Sequence, residues 1–199
     1  VTTAQPAFTF PRDQQFKDAT AVIRHALELE HRWFRQGDPC SVFNPWMPFQ
    51  PSEFLAIMFD CVGELSDGRE FLDVGCGPGS KMLLARHFYG MAVCGIEVDP
   101  DMATAAEVIG GVRTGDALHV PGGIYENFDV IWMYRPFRDP LLEQRLEARI
   151  MDEMKPGAIL AGAAWEICPA DHRWIPVVDD WELRRGAWMK PHPVVTVNL

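Results

Sequence analysis

Three acids each have glycine close by, and two of them stand where an apolar run ends. Asp73 closes the run Phe71-Leu72 and leads into Gly75-Cys76-Gly77-Pro78-Gly79. Glu97 ends the run Ala92-Val93-Cys94-Gly95-Ile96, and Asp116 follows Gly115. Such carboxylates can accept from a charged amine, take the paired hydroxyls of a sugar, or accept from an exocyclic ring amine. Glycines permit a tight turn and let a ligand approach the backbone closely. A helix starting near Gly79 and Ser80 would point its first N–H groups at that ligand.

The spacing narrows the choice. No Gly-Lys-Ser/Thr follows, which removes a triphosphate-binding loop. The third glycine comes one residue too early for G-x-G-x-x-G, and an acid is a poor neighbour for a pyrophosphate. A ligand with a cationic amino-acid end, a ribose and an adenine satisfies all three acids, and S-adenosylmethionine has that composition. Each residue alone has a plainer explanation. Glycines also serve packing at strand–helix junctions, Asp99 before Pro100 reads as a helix cap, and Asp116 can form a turn.

The surrounding pattern can position these groups. From Glu70 to about residue 167, strand-like and helix-like segments alternate, which is the pattern of a parallel sheet wrapped by helices. Strands are expected at 69–74, 91–98, 111–118, 127–134 and 157–167, and helices at 79–90, 99–110 and 139–154. Right-handed crossovers would bring the strand ends to one rim. The tail after His172 carries two β-like runs, expected to close the sheet as an antiparallel pair. Its tryptophans Trp174, Trp181 and Trp188, with Trp165 before them, are expected mostly in the core. Upstream, Phe16, Ala19, Val22, Ile23, Ala26, Leu27, Glu30, Trp33 and Phe34 recur at helical spacing, and most are apolar. A proline-rich and aromatic-rich loop follows, then a second helix with Ser52 as its expected N-cap. Residues 1–68 read as a helical N-terminal extension or cap, and residues 69–199 as the ligand-binding domain.

Taken as a set, these motifs resemble the class I S-adenosylmethionine-dependent methyltransferases. LDVGCGPG is similar to their first motif, GIEVD to the second, GDA to the third, FDVIWMY to the fourth and KPGAIL to the entry of strand five. The resemblance covers roughly residues 70–165. It implies an α/β, Rossmann-like methyltransferase fold, with a mostly parallel sheet and helices on both faces. It also implies S-adenosyl-L-methionine as cofactor. Asp73, Gly75 and Gly77 would line the methionine end, and Cys76 and Gly79 would also bind the cofactor. Glu97 would hold the ribose, Val98 would flank the adenine, and Asp116 and Ala117 would bind its edge. No metal is implied.

Methyl transfer is an in-line displacement at a sulfonium, so the protein supplies alignment and sometimes a base. The catalytic groups are expected beyond strand four, in Met133-Tyr134-Arg135-Pro136-Phe137. Tyr134 can orient a nucleophile, and Arg135 can pair with an acidic group on the acceptor. Tyr134-Arg135-Pro136-Phe137 shares only its last two residues with the Asn/Asp-Pro-Pro-aromatic motif of amino-methylating nucleic-acid enzymes. The amide or carboxylate that holds a base amine is missing. His119 and Glu166 stand near the same rim. Asn44 and Trp46, in the aromatic loop, are candidates to cover the cofactor.

Composition agrees with a small-molecule or protein acceptor. A net charge of −10 over 199 residues makes nucleic acid a less favoured partner. The five cysteines are widely spaced and form no C-x-x-C pair, as expected for reduced thiols. No run of apolar residues approaches a membrane span, and the first residues lack a signal-peptide pattern. The expectation is a cytoplasmic protein, with a homodimer left open.

Overall fold

In this computed structural model, residues 13–33, 43, 50–64, 70–162, 175–180 and 185–192 are described. Helix α1 (Asp13–Trp33) follows the three-and-four spacing of its apolar residues. Helix α2 (Pro51–Glu64) starts earlier than expected. Pro51 takes the first helical position, where its fixed φ suits and no N–H is needed. The Gln50 carbonyl accepts from the N–H groups of Glu53 and Phe54. Ser52 therefore lies inside the first turn and is not the N-cap.

From Glu70 the expected alternation holds. Strand β1 (Glu70–Val74) leads to α3 (Ser80–Tyr89), β2 (Ala92–Glu97) to α4 (Pro100–Ala106), and β3 (Gly111–Thr114) through turns to β4 (Val130–Met133). Helix α5 (Pro140–Glu153) and β5 (Ile159–Gly162) follow, then β6 (Ile175–Asp180) and β7 (Arg185–Met189). Asp99 and Asp139 cap α4 and α5, each followed by proline in the first turn. Helix α4 ends four residues before the expected Gly110. There the chain runs tight against β2, and a Cβ on Gly110 would lie 2.3 Å from the Val93 carbonyl oxygen. Strand β3 stops at Thr114, because residues 115–119 turn.

The seven strands lie in the order β3-β2-β1-β4-β5-β7-β6. The first five are parallel, and β7 runs antiparallel to both β5 and β6. The central strands bury both faces, as a parallel sheet covered by helices must. One face sets Phe71, Val93, Val130, Trp132 and Ala161 against the N-terminal helices and α3. The other sets Leu72, Val74, Ile96, Ile131 and Leu160 against Leu146, Ile150 and Met151 of α5. Trp188 of β7 is buried there, as expected.

Helices α1 and α2 share that first core. Helix α1 packs on α3, and α2 packs on α3, β5, β6 and β7. Phe54 of α2 meets Phe71 and Trp132 edge-on, with ring centroids 6.0 and 4.9 Å apart. Truncating such a buried aromatic costs about 3–5 kcal/mol. Asn44, Trp46, Trp165, Glu166, Trp174 and Trp181 lie outside the described residues.

Candidate functional site

Beyond the carboxyl ends of β1 and β2 the chain makes the glycine turn. The N–H groups of Gly75 and Cys76 both reach the Ile96 carbonyl, at 2.8 and 3.0 Å, and Gly79 N–H donates to the Cys76 carbonyl at 3.0 Å. Gly75, Gly77 and Gly79 hold φ of 77°, 52° and 88°, a region side chains disfavour. Gly79 has a packing reason too. A Cβ there would stand 2.8 Å from Ile109 and 3.0 Å from Ala106, so it lets α4 approach. No side chain caps the start of α3 at Gly79. Cys76 turns inward. Its thiol is fully buried, and a Cβ on Gly95 would stand 2.5 Å from its Sγ. Burial pushes that thiol well above its ordinary range, aided by Asp73 and Glu97. Cys76 thus shapes the turn from behind, with its polar atoms already engaged.

Glu97 ties two loops together. Its carboxylate accepts Gly77 N–H at 2.7 Å and Asp99 N–H at 2.9 Å. It is 7% exposed. Burial raises its carboxyl, while the N–H groups of Asp99, Gly77 and Val98 hold it down. Each carboxylate oxygen has two lone pairs, so acceptor capacity remains for hydroxyls. Val98 beside it is an exposed hydrophobe.

Asp73 is 1% exposed, and its Oδ2 has no hydrogen-bond partner among the described residues. Burial pushes its carboxyl up to about 7. Lys81 pulls it down, and Glu30 and Glu97 push it further up. Sequence reasoning missed this neighbourhood. Glu30 of α1 accepts from the Ser80 hydroxyl and from Lys81 Nζ at 3.3 Å. The available signal was an acid inside an otherwise apolar helical stripe.

The third acid serves its own turn. Asp116 Oδ1 accepts Leu118 N–H at 2.9 Å, and Oδ2 lies 2.7 Å from His119 Nδ1. His119 itself is exposed. Arg149 of α5 clamps this loop from below, donating to the carbonyls of Ala117, Leu118 and Val120 at 3.3, 2.7 and 2.7 Å. The Tyr125 hydroxyl also donates to Ala117, and Glu153 fixes Arg149 at 2.8 Å.

The end of β4 stands beside the glycine turn. A Cβ on Gly75 would lie 3.7 Å from Pro136 Cβ. Tyr134 is partly buried against the first core, and Arg135 is exposed. Arg135 has φ of 48°, the one positive value on a non-glycine among the described residues. Such strain at a strand end costs of order 1–3 kcal/mol and gathers at functional sites. Phe43 forms a backbone bridge to Phe137 at this edge, with ring centroids 5.4 Å apart. Among the described residues no cluster of His, Cys, Asp and Glu can hold a metal ion, and no helix is long and apolar enough to cross a membrane.

A sheet in this order, with β7 alone reversed and an acid–glycine turn after β1, has the Rossmann-like fold of the class I S-adenosylmethionine-dependent methyltransferases. The chain's fold is similar to that of an RNA methyltransferase from Salinibacter ruber solved with S-adenosyl-L-homocysteine. The TM-score is 0.53 at 19% identity, over 75% of this chain and 97% of that one. In sequence it is similar to 2-methyl-6-phytyl-1,4-hydroquinone methyltransferase from Synechocystis sp., 30% identical over 171 residues, 77% of this chain and 51% of that protein. The chain thus spans about half the length of that relative. No family model matches it.

Proposed function

We propose that the chain is a methyltransferase that binds S-adenosyl-L-methionine at this edge and methylates a small molecule. The observation that carries the reading is the buried Asp73 oxygen without a partner, set behind the glycine turn. A buried charge is expensive unless paired, and an ammonium is the complementary group. The remaining residues fit the rest of the cofactor. Glu97 has capacity for ribose hydroxyls, exposed Val98 suits one face of the adenine, and the Arg149-clamped loop at Asp116 and Ala117 suits its edge. When bound, the cofactor supplies an electrophilic methyl on a sulfonium.

The chain's own residues then bind, orient and shield. The glycine turn admits the ligand to the backbone. Asp73, Gly75, Gly77 and Gly79 border its amino-acid end, with Cys76 shaping the turn behind them. Tyr134 and Arg135, next to that turn, face the acceptor in this reading. Tyr134 orients the attacking group, and Arg135 pairs with an anionic or strongly polar substituent. Phe43, bridged to Phe137 at this edge, helps to keep water out. Helices α1 and α2, within the proposed cap of residues 1–68, also contribute to the core. The name of the Synechocystis relative favours a hydroquinone-like aromatic acceptor over a protein side chain, and the net charge of −10 disfavours nucleic acid. A protein that binds the cofactor without turnover is the rival reading. The proposed site of action is the cytoplasm.

Incubation with methyl-labelled cofactor, separately with alkylated hydroquinones, total RNA and a protein extract, decides among acceptors. Label is expected in the organic extract of the hydroquinone reaction, and Arg135→Ala should lower it at least tenfold. Label in RNA alone would overturn the small-molecule reading.

A further inference from the structure

Helix α1 meets the glycine turn through one buried acid. Glu30 is 3% exposed and Lys81 4%. One Glu30 oxygen takes both the Ser80 hydroxyl and the Lys81 ammonium at the start of α3. The other, Oε2, has no partner among the described residues, and neither has Asp73 Oδ2. Lys81 acts electrostatically on Asp73 as well as bonding Glu30. Two carboxylates and one ammonium therefore share this interior, with Glu97 close enough to add to the excess of negative charge. Removing ions from water is costly unless every charge is matched and every lone pair used. With both carboxyls ionised, one negative charge and two carboxylate oxygens are left over. A single added cation with several N–H donors would satisfy both oxygens and balance the charge. Trp33 is a neighbour of Glu30 on α1 at i, i+3, and it carries a third buried polar group without a partner, its indole N–H. That donor suits the carboxylate of the same amino-acid group.

We propose that Glu30 is a second carboxylate for the ammonium of the cofactor's amino-acid end, acting beside Asp73, so that α1 forms one wall of the cofactor site. The inference rests on the cofactor reading given above. It makes docking of α1 and binding of the amino-acid end two halves of one interaction.

The test compares two probes on the full chain. S-adenosylhomocysteine carries the amino-acid end, whereas 5′-methylthioadenosine has the same adenosine and sulfur without it. With wild type, the first should bind more tightly. In Glu30→Gln, which keeps the volume and an acceptor for Ser80, affinity for S-adenosylhomocysteine should fall about tenfold, while that for 5′-methylthioadenosine stays within twofold. Glu30→Asp should recover only part of the loss, because it keeps the charge but draws it back by one methylene. Equal loss of both probes with a lowered Tm would show a structural role only and overturn the proposal, as would unchanged binding of both. Should Glu30→Gln fail to fold, Glu30→Asp carries the test: a preference between probes identical to wild type overturns the proposal, and a reduced one supports it. If wild type binds neither probe, the cofactor reading fails and takes this inference with it. If wild type binds both and the variants match it, only the role of Glu30 fails.

Discussion

The two rims of the sheet treat their acids differently. At the amino-end rim, Asp129 is buried and fully engaged. One oxygen accepts Glu70 N–H at 2.9 Å, and the other pairs with Lys155 at 2.6 Å. Nearby, Lys190 closes the end of α5 by donating to the carbonyls of Met151, Asp152 and Met154. At the carboxyl-end rim, Asp73 and Glu30 each keep a buried oxygen without a partner, and Arg135 sits in a disfavoured conformation. A buried acid whose bonds are complete belongs to the fold. The incomplete bonds of Asp73 and Glu30 are what the proposed cofactor site would use.

Exchanging the two acids should separate these roles most sharply. Asp73→Asn is expected to weaken S-adenosylhomocysteine binding about 100-fold, within the 2–5 kcal/mol range for removing one partner of a buried charged pair. It should leave stability equal or higher, since a strained charge is gone. Asp129→Asn should do the reverse, costing about 1–3 kcal/mol of stability with affinity within twofold. Calorimetry paired with urea unfolding measures both, and an equal loss of stability in the two variants would break the comparison.

Glu97→Gln comes next. The amide keeps one acceptor but loses the charge that assists the Gly77 and Asp99 bonds. About a tenfold weaker affinity is expected by the same titration.

The dependence on pH carries a sign. The folded Asp73 carboxyl, at about 7, lies above an ordinary aspartate. In the free protein its contribution to stability is fully present below about pH 4 and is lost as pH rises through 7. A cation binds the ionised form, so affinity should rise between pH 6 and 8, with a proton released on binding. Asp73→Asn should flatten both profiles. Calorimetry in buffers of different ionisation enthalpy reads the proton directly.

Arg149→Gln should act on the adenine end alone. A roughly threefold to fivefold smaller preference for adenosyl over inosyl ligand is expected, because three loop carbonyls lose their donor. His119→Ala should do least. Its pair with Asp116 is exposed, and such pairs contribute about 0–1 kcal/mol.

Much of this was readable in the chain itself. The acids and glycines of the carboxyl-end rim are local signals, each within a few residues of a strand end, and the alternation of periods defines the parallel sheet. What escaped depends on distance. Glu30 meets Ser80 across 50 positions, and Arg149 meets Ala117 across 32. Nothing in a linear pattern brings these pairs together. Ser52 was misplaced because serine as a cap and proline in the first turn are competing start signals on adjacent residues. The left-handed backbone at Arg135 is a product of tertiary packing that residue type does not announce.

Titration of wild type and Asp73→Asn with S-adenosylhomocysteine tests the central claim most directly. Micromolar binding by wild type and a loss of about two orders of magnitude in the variant are the predicted results. Equal affinity in both proteins, or binding of NAD with none of the adenosyl ligand, would contradict the account.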